Sequence, residues 1–76
     1  MPKLRKVSGK AAVKILCNKF GFEIRGKSGS HVRLSKVTPE GKVGTVIPMH
    51  DEIKIGTLKG LLKLATIDPD EFSKYI

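Results

Sequence analysis

Apolar residues recur with helical spacing near the start of the chain. The residues that share this spacing are Ala11, Ala12, Ile15, Leu16 and Phe20. Ser8 is a good N-cap, and Gly21 suits the left-handed backbone just past a helix end. We therefore predict an amphipathic helix over 9–19, with Lys10 and Lys14 on its polar side.

The pattern then changes to the alternation of apolar and polar residues that is typical of strands. Residues 22–25 alternate, and residues 31–35 alternate with the opposite phase, so that 26–30 is predicted to be the turn between them. A turn-rich stretch leads to a third strand, 43–47, which Pro48 ends. Together these segments predict a three-stranded antiparallel meander.

Two helices are predicted after the sheet. Thr57 can cap the first, whose apolar face consists of Leu58, Leu61, Leu62 and Ala65. Asp68, Pro69 and Glu71 suit the N-cap, the first position and the third position of a short last helix. The order α-β-β-β-α with a small C-terminal helix predicts one α+β sandwich domain over 1–76.

Helices that cover only one face of this sheet leave the other face exposed. The residues predicted to point toward the helices are Phe22, Ile24, Val32 and Leu34. The exposed face would then carry Glu23, Arg25, His31, Arg33 and Ser35. A histidine is thus predicted between arginines on an open sheet face.

Positive charge is concentrated in the first half of the chain. The 76 residues carry a formal net charge of +8, and residues 1–36 hold ten Lys or Arg against one acid, Glu23. Such a basic half is typical of a protein that binds a polyanion, because released counterions favour association with phosphate backbones. A lysine-rich solubilising surface is the alternative.

Several classes of function are disfavoured. The longest apolar run falls short of the roughly 18 residues that span a bilayer, and the N-terminus lacks the apolar core of a signal peptide, so we expect a cytoplasmic protein without a membrane role. A single Cys17 and two separated histidines give neither a disulfide nor a zinc-ligand spacing, so we expect no metal and no cofactor. Cys17 is expected to pack at the core edge.

Residues 21–28 match the G-x-x-x-x-G-K-[ST] phosphate-binding pattern. That loop must follow a strand and open a helix, so that its backbone N–H groups surround the phosphates. Here a helix precedes the segment and a strand follows it. Nucleotide hydrolysis is therefore not predicted.

The tripeptide Gly29-Ser30-His31 is the strongest candidate for chemistry. An imidazole exchanges protons near neutral pH, with an unperturbed pKa of about 6.5. The cations near it in sequence are Arg25, Lys27, Arg33 and Lys36. A general acid or base beside cations that hold a phosphate is what RNA cleavage by the neighbouring 2′-hydroxyl requires. The alternative is a turn followed by a solvated histidine.

His50 follows the third strand in Pro48-Met49-His50. It is either a loop residue or a second acid or base that shares the proton transfers with His31. The adjacent Asp51 and Glu52 are expected to complete the turn or to meet a basic neighbour rather than to bind a metal.

These elements together resemble the HicA toxins of toxin–antitoxin systems. The resemblance rests on a helix, Gly21-Phe22, Gly29-Ser30-His31, Ile47-Pro48-Met49-His50, Ile55-Gly56-Thr57-Leu58 and a final Pro-Asp-Glu-Phe turn. It implies a double-stranded-RNA-binding-domain-like fold, metal-independent cleavage of mRNA that arrests translation, and neutralisation by a HicB antitoxin. It also implies that His31 is the catalytic residue.

The leading hypothesis is a ribonuclease in which His31 moves protons and Ser30 orients the site. Arg33, with Arg25 or Lys27, would stabilise the developing charge, while the remaining RNA contacts are assigned to Lys36, Lys10 and Lys14. The alternative is a non-catalytic RNA-binding module with the same fold, and a third is a purely structural adaptor. An acidic antitoxin is expected to cover the open face.

Overall fold

A computed structural model describes residues 4–76 of the chain. The first three residues, including Lys3 of the basic half, lie outside the described residues. The elements follow the order α1 (Gly9–Lys19), β1 (Glu23–Ser28), β2 (His31–Thr38), β3 (Gly41–Pro48), α2 (Ile55–Leu64) and α3 (Pro69–Ser73). The predicted α+β class and the order α-β-β-β-α with a short last helix are confirmed.

Helix α1 has the predicted bounds because both of its ends are specified by nearby residues. The Ser8 hydroxyl accepts the N–H of Ala11 at 3.0 Å, which satisfies one donor of the first turn. At the other end Gly21 adopts φ +76°, and the N–H of Phe22 then donates to the Leu16 carbonyl at 3.0 Å. The chain thereby turns directly from the helix into β1.

The first hairpin has longer strands and a shorter turn than predicted. Only Gly29 and Ser30 form the turn, with Gly29 at φ +59°, so the prediction of a turn over 26–30 was wrong. The pairing shifts between Ile24 and Gly26, which leaves Arg25 as the extra residue of a β-bulge. The bulge changes the phase of the alternation, and this conceals the continuation of β1 in the sequence pattern.

The sheet is a simple antiparallel meander with the strand order β1-β2-β3. Strand β3 begins at Gly41, two residues earlier than predicted, because Pro39 and Glu40 alone make the second turn. The register pairs His31, at the start of β2, with Pro48 at the end of β3. This pairing fixes which loops lie near His31.

The helices cover one face of the sheet and create a single hydrophobic core. Its buried members are Ala12, Leu16, Phe22, Val32, Leu34, Ile47, Ile53, Leu58, Leu61, Leu62, Ala65, Ile67 and Phe72. Thr45 lies within this layer and donates its hydroxyl hydrogen to the Leu61 carbonyl at 2.7 Å. This hydrogen bond joins β3 to α2 across the core.

Ile24 is not part of the core, although alternation predicted that it would be. Its register partner Leu34 is buried, but Ile24 itself is 59% exposed. Helices α1 and α2 contact the sheet mainly through β3, so the outer strand β1 at the far edge is poorly covered. A side chain on an edge strand can therefore point toward the helical layer and still be exposed.

The C-terminal helices differ in how well their starts were predicted. Helix α2 begins at Ile55 after Lys54, whose carbonyl accepts the N–H of Leu58 at 2.9 Å, so Thr57 lies inside the helix and is not its cap. Helix α3 begins as predicted, with Pro69 in its first turn and the Asp68 carboxylate accepting the N–H of Asp70 at 2.9 Å.

None of the helices over residues 4–76 is both long and apolar enough to span a bilayer.

Candidate active site

The two histidines line one open cleft of about 540 Å³. We call it the histidine cleft; its lining residues are His31, Val46, Pro48, His50, Glu52, Ile53, Lys54 and Thr57. Three separate parts of the chain meet here: the start of β2, the segment after β3, and the first turn of α2. Both histidines were candidates from the sequence, but the sequence pattern could not predict that they line the same cleft.

His31 is positioned by the tight turn that precedes it. It is the first residue of β2, and its side chain is exposed on the sheet face that points away from the helices. The carbonyl of Ser30 accepts the N–H of Met49 at 2.6 Å, which closes the turn against the end of β3. The Ser30 backbone thus helps to fix the position of His31.

His50 is held in place by its own backbone and by helix α1. Its carbonyl accepts the N–H of Gly9 at 2.8 Å. Gly9 is buried, and a Cβ there would overlap the carbonyl oxygen of Pro48 and lie 2.7 Å from the Met49 Cα. The start of α1 therefore packs directly on the segment that carries His50, and only glycine permits this approach.

The first turn of α2 forms the third side of the histidine cleft. Its N-cap residue is Lys54, and no side chain caps the helix. The N–H groups of its first three residues precede the first i→i−4 hydrogen bond and carry the positive end of the helix dipole. Lys54 and Thr57 line the same side of the cleft, and the start of a helix favours anions. The Glu52 carboxylate at the rim lies 3.3 Å from Lys6 Nζ, which offsets its charge.

Arg25 and Arg33 lie on the same sheet face as His31, in a neighbouring depression of about 310 Å³. We call it the arginine concavity; its lining residues are Arg25, Arg33, Leu34, Ser35, Lys42, Gly44, Thr45, Val46 and Leu64. Val46 borders both depressions, so they adjoin on the sheet. The predicted open face, with a histidine beside two arginines, is therefore present. Ser35 was predicted to be exposed on this face, but it is buried, because Arg25 lies against it and donates to its hydroxyl.

Four other cations that the sequence assigned to RNA binding lie elsewhere. Lys27 pairs with Val32 and so projects on the helix side of the sheet edge. Lys36 also projects to the helix side, where Nζ donates to the Phe20 carbonyl at 2.9 Å. Lys10 and Lys14 are exposed on α1, which packs on that side. None of these four residues lines the histidine cleft or the arginine concavity.

Sequence reasoning missed three residues that line the two depressions. Nothing in the sequence pattern marked Lys54 as a site residue, because its place beside the cleft depends on where α2 begins. Thr57 belongs to the Gly56-Thr57-Leu58 element of the resemblance, but it was interpreted as a helix cap. Lys42 was assigned to a turn, whereas it is the second residue of β3.

The remaining reactive groups do not form a competing site. Burial raises the pKa of the Cys17 thiol, which lowers the fraction of reactive thiolate at neutral pH. Across residues 4–76, no group of three or more His, Cys, Asp or Glu side chains is arranged to hold a metal ion. The candidate site in the described residues therefore consists of the two histidines and the cations around them.

Comparison with known proteins adds the family. A family model described as the HicA toxin of bacterial toxin–antitoxin systems matches residues 9–67. Comparisons with curated proteins and with solved structures gave no match. The matched region includes all of the residues that line the histidine cleft and the arginine concavity. The chain therefore belongs to the HicA toxin family of toxin–antitoxin systems.

Proposed function

We propose that the chain is a metal-independent endoribonuclease that cleaves mRNA and thereby inhibits translation, with His31 as its catalytic residue. The observation that carries this proposal is that His31 and His50 line one cleft beside the uncapped start of α2. That cleft offers proton exchange and anion stabilisation at the same place. RNA cleavage without a metal requires both.

The proposed reaction is attack of a ribose 2′-hydroxyl on the adjacent phosphorus. One imidazole accepts the 2′-hydroxyl proton while the O2′–P bond forms. The other imidazole, in its protonated form, gives its proton to the 5′ oxygen as the P–O5′ bond breaks. The products are a 2′,3′-cyclic phosphate and a free 5′-hydroxyl, and His31 and His50 supply the two groups.

Negative charge accumulates on the phosphate oxygens during this attack. Lys54 and the start of α2 border the cleft, and their positive groups are suited to stabilise that charge. Arg33 lies two residues from His31 on the same side of β2, and therefore next to the cleft. Electrostatic stabilisation is thus assigned to three distinct positive groups.

A toxin of this kind requires a partner that keeps it inactive. We assign this role to a HicB-type antitoxin whose acidic side chains meet Arg25 and Arg33 while its bulk blocks RNA from His31. Such complementary charge favours rapid association and gives a complex that salt weakens. The complex is expected to be inactive toward RNA.

The decisive test compares wild-type protein with His31→Ala and His50→Ala on a labelled RNA. We expect His31→Ala to lower the cleavage rate by about 10²-fold or more, because it removes one proton-transfer group. RNA affinity, measured by fluorescence anisotropy, should stay within about twofold, since the cations that bind phosphate remain.

Three outcomes distinguish the hypotheses. Full cleavage by His31→Ala contradicts its catalytic role. Binding without cleavage by wild-type protein identifies the non-catalytic RNA-binding module instead. Full cleavage by His50→Ala assigns the second histidine to structure.

A second prediction concerns metal. We expect EDTA to leave the cleavage rate unchanged and the products to end in 2′,3′-cyclic phosphates, because the proposed reaction needs imidazoles and no bound cation. Mass spectrometry of the products identifies their ends. A rate that falls in EDTA and returns with added magnesium would contradict the histidine-only mechanism.

A further inference from the structure

The arginine concavity contains one cation from each strand of the sheet. Arg25 comes from β1, Arg33 from β2 and Lys42 from β3, and all three side chains line the same depression. Glu23 lies 3.3 Å from Arg25 Nη2, whereas no carboxylate of residues 4–76 lies within salt-bridge distance of Arg33 or Lys42. The depression therefore has excess positive charge.

Arg25 is held in place by a hydrogen bond before any ligand arrives, and Arg33 lies across the neighbouring strand. Arg25 Nε donates to the Ser35 hydroxyl at 2.7 Å, and Ser35 is only 5% exposed. Arg33 extends across Gly26 so closely that a Cβ on that residue would lie 2.7 Å from Arg33 Nη2. A prearranged guanidinium loses less conformational freedom on binding than a mobile one, and its planar donors match phosphate oxygens.

The concavity adjoins the histidine cleft at a spacing suited to one polymer. Arg33 and His31 are two residues apart on one side of β2, which corresponds to about 6.6 Å along a strand. Val46 forms part of both depressions. A single RNA strand that places one phosphate at the histidines therefore brings a neighbouring phosphate to the arginines.

We infer that the arginine concavity is a second phosphate subsite, which binds a phosphate next to the scissile one on a single RNA strand. This inference rests on the proposed ribonuclease function and specifies its substrate. A dinucleoside monophosphate, which has only the scissile phosphate, is then a poor substrate. A tetranucleotide with the same central step has flanking phosphates and is a good one.

The first experiment measures kcat/KM for these two substrates with wild-type protein and with the double variant Arg33→Ala/Lys42→Ala. Wild type should prefer the tetranucleotide by about tenfold or more, because charge-assisted hydrogen bonds to a further phosphate are gained. The double variant should lose this preference, mainly through a higher KM for the tetranucleotide. Because Arg33 is also assigned to charge stabilisation at the scissile phosphate, the readout is the ratio of the two kcat/KM values and not the rate on the dinucleotide alone. Lys59→Ala/Lys63→Ala, on the exposed side of α2, makes the same charge change and should retain the preference.

A second variant tests the position of Arg33 without altering the charge. Gly26→Ala forces the Arg33 guanidinium aside, and because that group is the flexible end of a side chain, the fold can remain intact. We expect KM for the tetranucleotide to rise severalfold, and the ratio of kcat/KM for the tetranucleotide to that for the dinucleotide to fall. Gly60→Ala is the matched control, since a Cβ there meets nothing within 4 Å.

The results separate this inference from the proposed function. The subsite is overturned if wild type uses both substrates equally, or if Arg33→Ala/Lys42→Ala keeps an undiminished preference for the tetranucleotide. The concavity would then be a surface for a protein partner. If wild type cleaves neither substrate, the proposed function fails, and the subsite is judged by anisotropy with a labelled 2′-deoxy tetranucleotide. Weaker binding by the double variant than by Lys59→Ala/Lys63→Ala then supports the subsite, and equal binding overturns it.

Discussion

At the residue scale, two buried polar side chains, Ser35 and Thr45, form hydrogen bonds across elements. Thr45 is only 4% exposed, and its hydroxyl donates to the Leu61 carbonyl. Among the described residues, no buried side-chain nitrogen or oxygen lacks a hydrogen-bond partner. These bonds hold strands and helices at defined distances, which a hydrophobic core alone specifies less strictly.

Thr45→Val should lower the free energy of unfolding by about 1 kcal/mol, the typical net worth of one intramolecular hydrogen bond. Valine keeps the shape, and the Leu61 carbonyl retains the N–H of Ala65 at 3.1 Å, so no acceptor is left without a donor. Urea denaturation measures the change. Thr38→Val is the control, because its hydrogen bond to the Gly41 carbonyl is exposed and water replaces it.

At the element scale, the site depends on how α1 docks against the end of β3. Gly9 begins α1, donates to the His50 carbonyl and lies against the Pro48 and Met49 backbone. The N–H of Ile53 donates to the Val7 carbonyl at 2.6 Å, which also holds the segment between β3 and α2 in place. The residues before α1 thus hold the loop that carries His50.

Gly9→Ala should destabilise the protein by about 1–3 kcal/mol, the usual cost of overpacking, because backbone atoms of β3 must move to admit the methyl group. The displaced segment carries His50, so cleavage should also slow at temperatures where the variant is fully folded. Thermal unfolding and initial cleavage rates measure the two effects. Gly60→Ala should show neither loss, and normal stability of Gly9→Ala would contradict the close packing.

At the scale of the whole molecule, positive charge is divided between two surfaces. The open face carries Arg25, Arg33 and Lys42 beside the histidine cleft, whereas Lys36 is fastened to the Phe20 carbonyl on the helical side. A formal charge of +8 therefore overstates the charge that the open face offers to the proposed RNA substrate. Only cations on the RNA-binding surface release counterions from the bound phosphates.

RNA affinity should fall as salt rises, with log K against log salt decreasing by about 0.7 for each phosphate contacted on a single strand. Arg33→Ala/Lys42→Ala should reduce the magnitude of this slope by about 0.7, because the contact with one phosphate is lost. Anisotropy titrations between 50 and about 200 mM salt measure it. An equal reduction in Lys59→Ala/Lys63→Ala would show that total charge, and not the open face, determines binding.

The sequence by itself determined those features whose physical causes lie within a few residues. The bounds of α1 follow from Ser8 and Gly21, and the start of α3 follows from Asp68 and Pro69, because caps act on neighbouring backbone groups. Alternation likewise identified two strands and a face that carries His31, Arg25 and Arg33, and the turn residues and Pro48 at its ends identified the third strand. These signals need no knowledge of the rest of the chain.

Only the tertiary structure decided the features that depend on distant parts of the chain. The exposure of Ile24 follows from the packing of the helices on β3, and the contact of Lys36 with Phe20 follows from the same layering. The histidine cleft requires β2, the end of β3 and the start of α2 to meet. Residue patterns record which side of an element is apolar, whereas packing determines what covers each side and which side chains share one depression.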